Sequence, residues 1–457
     1  MKRRFLLNHT SSAQILVLIL FVVFWGCEPA QSPITIAIMG DQTGAHDLDS
    51  AYSVMAVAAQ QMAKHSPDIL LHVGDMTESK VSDSSVYSAD FHTAVSIMEA
   101  VGVPWYLTAG DHDVNPSVFK PRSTDRSNEL RFQNLCVGIG LPMQDHLYYS
   151  VDLQDYHLVF LYSLETLHTD PRWGSIFLNQ ISEEQLDWLR SDLDQNRTSR
   201  GIIVVTHHPH WYSWSNWYRV HKVLRDYPVL AVIAGHYHYD QDDGIIDGIN
   251  YLVLGATGGT IKDADAESGG CHEYALLTLV DGAVSSYELH EVYSDSILER
   301  TSRRSMDRIQ ALSTSMSNVY GDEKLILKSN RLFSIDGSDQ EISKTSLDIE
   351  SIANPLDLPV ELSIHPVGTV LKSPRWVGSK AGLSGEQAVI LEPGERCGWA
   401  NYASSGQWIA PAAIWEADLA DEVFDPENPP IIGVDIRMSF KDTRPRWISS
   451  RVTYPVK

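Results

Sequence analysis

Cysteine is scarce in this chain, with four among 457 residues. Cys27, Cys136, Cys271 and Cys397 lie too far apart for a zinc-ligand spacing or a disulfide framework, which excludes the small stapled folds. Positive charge is also in short supply: 35 Lys and Arg face 59 Asp and Glu, giving a net charge of −24. Without a basic surface to displace counterions, the composition argues against nonspecific nucleic-acid binding and against electrostatic docking on anionic membranes. There is no internal repeat and no low-complexity tract. Long apolar runs are missing too, since Ile15–Trp25 falls short of the roughly 20 residues that a membrane-spanning helix needs.

What the N-terminus does contain is Lys2-Arg3-Arg4 ahead of that apolar run, the order of a secretory signal. Gly26-Cys27 closes the run and resembles a bacterial lipoprotein cleavage box. The resemblance implies a lipid anchor on Cys27, attachment to a membrane, and an extracytoplasmic place in the cell envelope, periplasmic or at the surface. An ordinary cleaved signal and a retained anchor are the alternatives. With Cys27 acylated, the other three cysteines read as buried free thiols, with one disulfide pair as the alternative.

A chain of this length is expected to hold more than one core. After the linker Pro29–Pro33, residues 34–292 alternate strand-like apolar runs with helical ones such as Ala51–Lys64, Ser88–Val101 and Ser182–Asn196. The last opens with Ser182-Glu183-Glu184-Gln185, a capping-box pattern. This alternation predicts an α/β domain with a mostly parallel, layered sheet flanked by helices. Residues 293–320 read as a connecting helix, whose Arg300, Arg303, Arg304 and Arg308 offer either a solvated face or a phosphate site. Residues 321–457 show short strand candidates, Val360–Ile364, Ala388–Leu391 and Ile431–Phe440, between Pro- and Gly-rich turns. They predict a smaller all-β, sandwich-like C-terminal domain.

Five motifs occur in the first domain: Gly40-Asp41, Gly74-Asp75, Gly110-Asp111-His112-Asp113, Thr206-His207-His208-Pro209 and Gly235-His236-Tyr237-His238. Most follow an apolar, β-branched run, as after Ile34–Met39, Ile69–Val73, Ile202–Val205 and Val229–Ala234. Buried parallel strands read as such runs, and open α/β sheets place their ligands at the carboxyl ends of strands. The Asp and His side chains are therefore expected at one edge of one sheet. Carboxylate oxygens and neutral imidazoles suit Mn, Fe or Zn, so two divalent metal ions are the expected cofactors.

In order and composition the motifs resemble those of the calcineurin-like metallophosphoesterases, over roughly Ile34–Leu289. The resemblance implies a layered metallophosphoesterase fold and hydrolysis of phosphate mono- or diesters by a metal-bridging hydroxide. It implies Asp41 and His238 on one metal, His207 and His236 on the other, and Asp75 between them. His112 matches the residue that contacts phosphate and protonates the leaving group, and Asp113 the acidic residue that orients it. The family's third motif usually carries Asn where Asp111 stands, so Asp111 is a carboxylate ligand in its place. Thr43 occupies the position of a family His. In the related purple acid phosphatases a Tyr stands three residues after the bridging Asp, where this chain has Glu78. Thr43, Glu78 or water could thus complete the first metal.

The segment His210-Trp211-Tyr212-Ser213-Trp214-Ser215-Asn216-Trp217-Tyr218 follows the fourth motif. Its rings either contact a substrate leaving group or pack the loop onto the expected helix His221–Arg225. His208 and His210 read either as neighbours of the site or as surface residues. The expected function is a secreted phosphoesterase, with a catalytically idle binding or scaffold lipoprotein as the rival.

Overall fold

The computed structural model describes residues 32–43, 48–78, 83–114, 126–170, 174–178, 180–211, 216–261, 271–317, 325–330, 344–349, 352–368, 371–377, 388–397, 412–419, 431–442 and 445–455. The signal and the acylation site expected at Cys27 lie outside these residues. Among the described residues no helix is long and apolar enough to cross a membrane. Cys136, Cys271 and Cys397 are free thiols, the first and last of them buried.

Two six-stranded sheets form the body of the α/β part. In the first, the strand Ile34–Met39 runs parallel to Ile69–His72, which runs parallel to Trp105–Leu107. On its other side it pairs antiparallel with Glu273–Val280, followed by Ala283–Glu291 and Ile297–Leu298. In the second, Tyr156–Leu161, Gly201–Thr206, Val229–Ala234 and Ile249–Val253 run parallel, and antiparallel strands Tyr149–Leu153 and Gln241–Ile246 close the edges. The motifs therefore come from two sheets, not from one edge of one sheet. Apolar runs report that a strand is buried but carry no information on which sheet it joins.

Side-chain alternation explains why these strands are apolar on both faces. In the second sheet Leu158, Phe160, Ile203, Val205, Ala231 and Ile233 join the core that also holds the first sheet. Their neighbours Val159, Leu161, Ile202, Val204 and Val232 pack instead with Leu186, Leu189, Leu193, Trp217 and Val220 of the outer helices. Each fully buried aliphatic side chain of this kind contributes about 1.5–3 kcal/mol. The helices Leu48–Lys64 and Ser84–Glu99 bury Met55, Met62, Phe91 and Met98 in the first core.

Helix Glu183–Gln195 starts as expected at Ser182, whose Oγ accepts from the Gln185 N–H at 3.0 Å. The reciprocal half of the capping box is not made. The Gln185 side chain bonds the backbone of Tyr162 at 2.9 Å, and the Ser182 N–H goes to Glu165 Oε2 at 3.0 Å. The aromatic loop is followed by the helix Trp217–Leu224 rather than His221–Arg225, because Trp217, Val220 and Leu224 supply the apolar face.

The C-terminal part is all-β. Two four-stranded antiparallel sheets and a short two-stranded pair share one core, in which Val360, Leu362, Val434, Ile436 and Met438 meet Trp376, Trp415 and Ala417. The helix Arg303–Ser317 adds Met306, Ile309 and Leu312 to that core. Two of its arginines form ion pairs instead of a phosphate site: Arg304 and Arg308 pair with Asp357, and Arg308 also with Asp442 at 2.8 Å.

His157 ties the edge hairpin to helix Glu183–Gln195, with Nδ1 2.7 Å from Asp152 Oδ1 and Nε2 2.8 Å from Asp192 Oδ2. Burial disfavours its charged form, but the two carboxylates outweigh it and raise the pKa. Such a group stabilises fully below its unfolded pKa, near 6.5, and the contribution disappears as pH rises through the raised folded value. His157→Gln should therefore cost about 1–3 kcal/mol at pH 6 and progressively less at alkaline pH. Denaturant unfolding at both pH values checks this, and a difference independent of pH contradicts it.

Candidate metal centre

Strand ends from both sheets converge through a strained backbone. Asp41, Asp75, His236 and His238 have φ of 58°, 60°, 72° and 60°, four of the ten non-glycine residues with positive φ among those described. Such conformations cost about 1–3 kcal/mol each and persist only where the surroundings over-determine them. Hydrogen bonds between the loops do so here: Asp41 N to Gly74 O at 3.0 Å, Gln42 N to Asp75 O at 2.9 Å, Gly259 N to Asp41 O at 2.7 Å and Gly235 N to His207 O at 3.0 Å. The approach is close enough to require glycine. A Cβ at Gly110 would overlap Asp75, and one at Gly235 would overlap Asp41 Oδ2.

All six residues expected to be ligands meet. His207 Nε2 lies 3.1 Å from Asp111 Oδ1 and 3.4 Å from Asp75 Oδ2. His236 Nδ1 lies 3.1 Å from the same Asp111 oxygen, and His238 Nε2 lies 3.8 Å from Asp41 Oδ1. Two sets of donor atoms result, each within 4.8 Å: Asp111, His207, His208 and His236, and Asp41, Asp75 and His207. His207 Nδ1 donates to Val73 O at 2.8 Å and His238 Nδ1 to Thr260 O at 3.0 Å. Each bond fixes the tautomer that leaves Nε2 free to coordinate.

The electrostatics fit cations. Burial pushes the Asp41 carboxyl well above the usual carboxylate range, against the pull of His207. Its Oδ2 is buried without a hydrogen-bond partner among the described residues. Burial also opposes ionisation of Asp111, but hydrogen bonds from His207 and His236 hold it well below that range. A divalent ion would give the Asp41 oxygen the partner that no donor among the described residues gives it, and mixed carboxylate and imidazole sets are the ligands such ions take.

The expected role of Asp113 is corrected. Its carboxylate does not orient His112; it accepts from the N–H groups of Gly110 and Asp75 at 2.9 Å and from Thr77 N and Oγ1 at 2.8 and 2.9 Å. Asp113 is a clamp between the second and third motifs. The partner of His112 is Glu78, with Oε2 2.8 Å from Nδ1. Glu78 is thus engaged with the imidazole through Oε2. Thr43 Oγ1 donates to Asp75 Oδ2 at 3.3 Å. Burial disfavours the His112 imidazolium, yet the Glu78 hydrogen bond and the charges of Asp75 and Asp111 outweigh it and raise its pKa to about 9.

Sequence reasoning missed a buried support beneath the site. His72 Nδ1 accepts from Gly74 N at 3.1 Å, so its Nε2 donates to Gln42 Oε1 at 2.6 Å, and Gln42 Nε2 reaches Thr257 O at 2.9 Å. Burial lowers the His72 pKa to about 3, keeping it neutral. No local spacing signals this set, since His72 sits inside an apolar strand. His208 and His210 are buried, not on the surface, and His208 Nδ1 lies 2.7 Å from Ser163 Oγ. Trp211 packs on Trp217 and Tyr251 and donates to Asp243 Oδ2 at 2.6 Å, while Tyr212 and Trp214 lie outside the described residues. A separate group, also unread in the sequence, gathers His65 and His290 on Asp295 Oδ1, which accepts from the Tyr274 hydroxyl as well.

Removing the Asp113 clamp strands the N–H groups of Gly110, Asp75 and Thr77, at about 1–3 kcal/mol for each buried donor. Asp113→Ala should therefore melt well below wild type and take up less metal. An unchanged melting temperature with only a slower turnover would restore the orienting role.

Residues 34–240 match the family model for calcineurin-like phosphoesterases. A protein of Rhodococcus erythropolis named a probable cyclic nucleotide phosphodiesterase is 28% identical over 213 residues, which are 45% of this chain and 62% of that protein. The chain thus spans less than two thirds of that relative's length. Among solved structures, a dimetal phosphatase of Danio rerio aligns at 15% identity and a TM-score of 0.41, covering 59% of this chain and 99% of that one. A purple acid phosphatase from yellow lupin (Lupinus luteus) seeds aligns at 15% identity and a TM-score of 0.42, covering 60% of this chain and 55% of that one.

Proposed function

We propose that this chain, whose residues 34–240 match the family model for calcineurin-like phosphoesterases, hydrolyses phosphoric esters with two divalent metal ions. Asp41, Asp75 and His238 would hold one ion, and Asp111, His207 and His236 the other. The observation that carries this reading is the buried Asp41 Oδ2, without a hydrogen-bond partner among the described residues, beside five further donor side chains. When bound, the ions neutralise phosphoryl oxygens and make a water acidic enough to serve as nucleophile near neutral pH.

The chain's own residues do the rest. Glu78 accepts the Nδ1 proton of His112 and so fixes the ring, leaving Nε2 for the leaving-group oxygen. A protonated His112 donates there as the ester bond breaks. Asp113 and the two glycines hold the loops at the spacing this requires. The name of the Rhodococcus relative places phosphodiesters, cyclic nucleotides included, among the first substrates to try. We place the protein in the cell envelope, tethered through Cys27, on the strength of the N-terminal pattern; an acyl mass on the mature N-terminal peptide tests that.

The reading is tested with the full chain and Mn²⁺ on p-nitrophenyl phosphate and its bis ester. His112→Asn should lower kcat by about 10²–10⁴-fold with metal content unchanged, and Glu78→Gln should lower it less. Wild-type turnover in His112→Asn contradicts the role of His112 as the acid. A metal-loaded wild-type chain inert toward both esters and cyclic nucleotides favours the idle-scaffold reading.

A further inference from the structure

The loop that carries His236 and His238 faces two ways. Its histidines turn toward Asp111 and Asp41, while the alternate residues Tyr237 and Tyr239 stack on each other, with ring centroids 5.1 Å apart and planes 10° from parallel. Tyr239 is buried in the core of the C-terminal β part, beside Met306, Ile309 and Leu312, and Tyr237 packs against the same cluster. The next residue, Asp240, is buried as well. Its carboxylate accepts from Thr301 N at 2.6 Å and from Thr301 Oγ1 at 2.8 Å.

Behind Thr301 stands Arg446, a fully buried arginine from the last strand of the chain. Its Nη1 lies 3.7 Å from Asp240 Oδ1, and its Nη2 donates to Thr301 Oγ1. The other end of the same hairpin turn is fixed by Asp442, which accepts from Ser305 Oγ at 2.7 Å and from Arg308 at 2.8 Å. A connected path of buried contacts therefore runs from the C-terminal hairpin through Thr301 and Asp240 to a loop in left-handed backbone conformation.

We infer that Arg446 is a positioning residue for the metal centre, and that the C-terminal β part sets the geometry of the His236-Tyr237-His238 loop. The inference rests on the two-metal reading of the site. Two residues of that loop are in conformations that persist only under external constraint. The constraint on their outer side comes from the β part. Partners that hydrogen-bond the ligands themselves change metal affinity by about 10–100-fold when removed; Arg446 stands one step further out, bonded to the segment that follows His238, and acts in the same direction with a smaller effect.

The test uses the full chain and compares Arg446→Met, Arg446→Lys and wild type for Mn²⁺ affinity and for the absorption spectrum of the Co²⁺-loaded protein. Arg446→Met should bind Mn²⁺ more weakly, by about 10-fold at most, with an altered Co²⁺ spectrum, and Arg446→Lys should recover part of both. Loss of Arg446 leaves Asp240 a buried charge without its countercharge, and such a variant can fail to fold. The double variant Asp240→Asn/Arg446→Met removes both charges and should show the same loss of affinity. A folded Arg446→Met or double variant with wild-type affinity and spectrum, even one that melts earlier, overturns the inference alone. A wild-type chain that binds no Mn²⁺ overturns the two-metal reading with it.

Discussion

Three carboxylates, Asp41, Asp75 and Asp111, are held together in a place where water does not reach two of them. Their mutual repulsion and the cost of burying them are the constraint around which the rest of the molecule is arranged. Histidine partners relieve part of it: His207 alone approaches both Asp75 and Asp111, and His236 reaches Asp111. The Asp41 oxygen without a donor marks what the protein side chains leave undone. The proposed pair of divalent cations would relieve all three carboxylates together, and the proposed chemistry follows from that.

Holding the carboxylates in place requires backbone conformations that side chains rarely adopt. The sheets supply the rigid part, since their strands are buried on both faces and end abruptly at the motifs. The loops then depend on one another: Asp113 clamps the second motif to the third, the Gln42–His72–Thr257 set supports the first, and Thr260 orients His238. The loop with two histidines takes its support from a different part of the chain. The connecting helix and the C-terminal hairpin are thereby joined to the chemistry although neither contributes a ligand. Arg304 and Arg308 of that helix, suggestive of phosphate in the sequence, pair with Asp357 and Asp442 at that junction.

Much of this is legible in the sequence because buried parallel strands write themselves as continuous apolar runs, and the ligands follow where four of those runs stop. Asp41, Asp75, His207, His236 and His238 are found that way, Asp111 through the resemblance of its Gly-Asp-His-Asp motif to the family's third motif, and the structure brings all six together. The division of the strands between two sheets is not legible, since either sheet buries both faces of its strands alike. Asp113 is misread because the motif's resemblance to the family's assigns it to His112, whereas in the short helix Asp111–Val114 its carboxylate turns to the N–H groups of Gly110, Asp75 and Thr77. Glu78 is 34 positions away and reaches His112 only through the fold. Arg446 is 206 positions beyond Asp240 (446 − 240), so their pairing carries no signal in spacing at all.

The central claim is that two metal ions sit between these six side chains. Anomalous X-ray scattering from crystals of the full chain grown with Mn²⁺ addresses it without reference to turnover. Two peaks are predicted, one among Asp41, Asp75 and His238 and the other among Asp111, His207 and His236. A single peak beside His65, His290 and Asp295, or none at the strand ends, would contradict it.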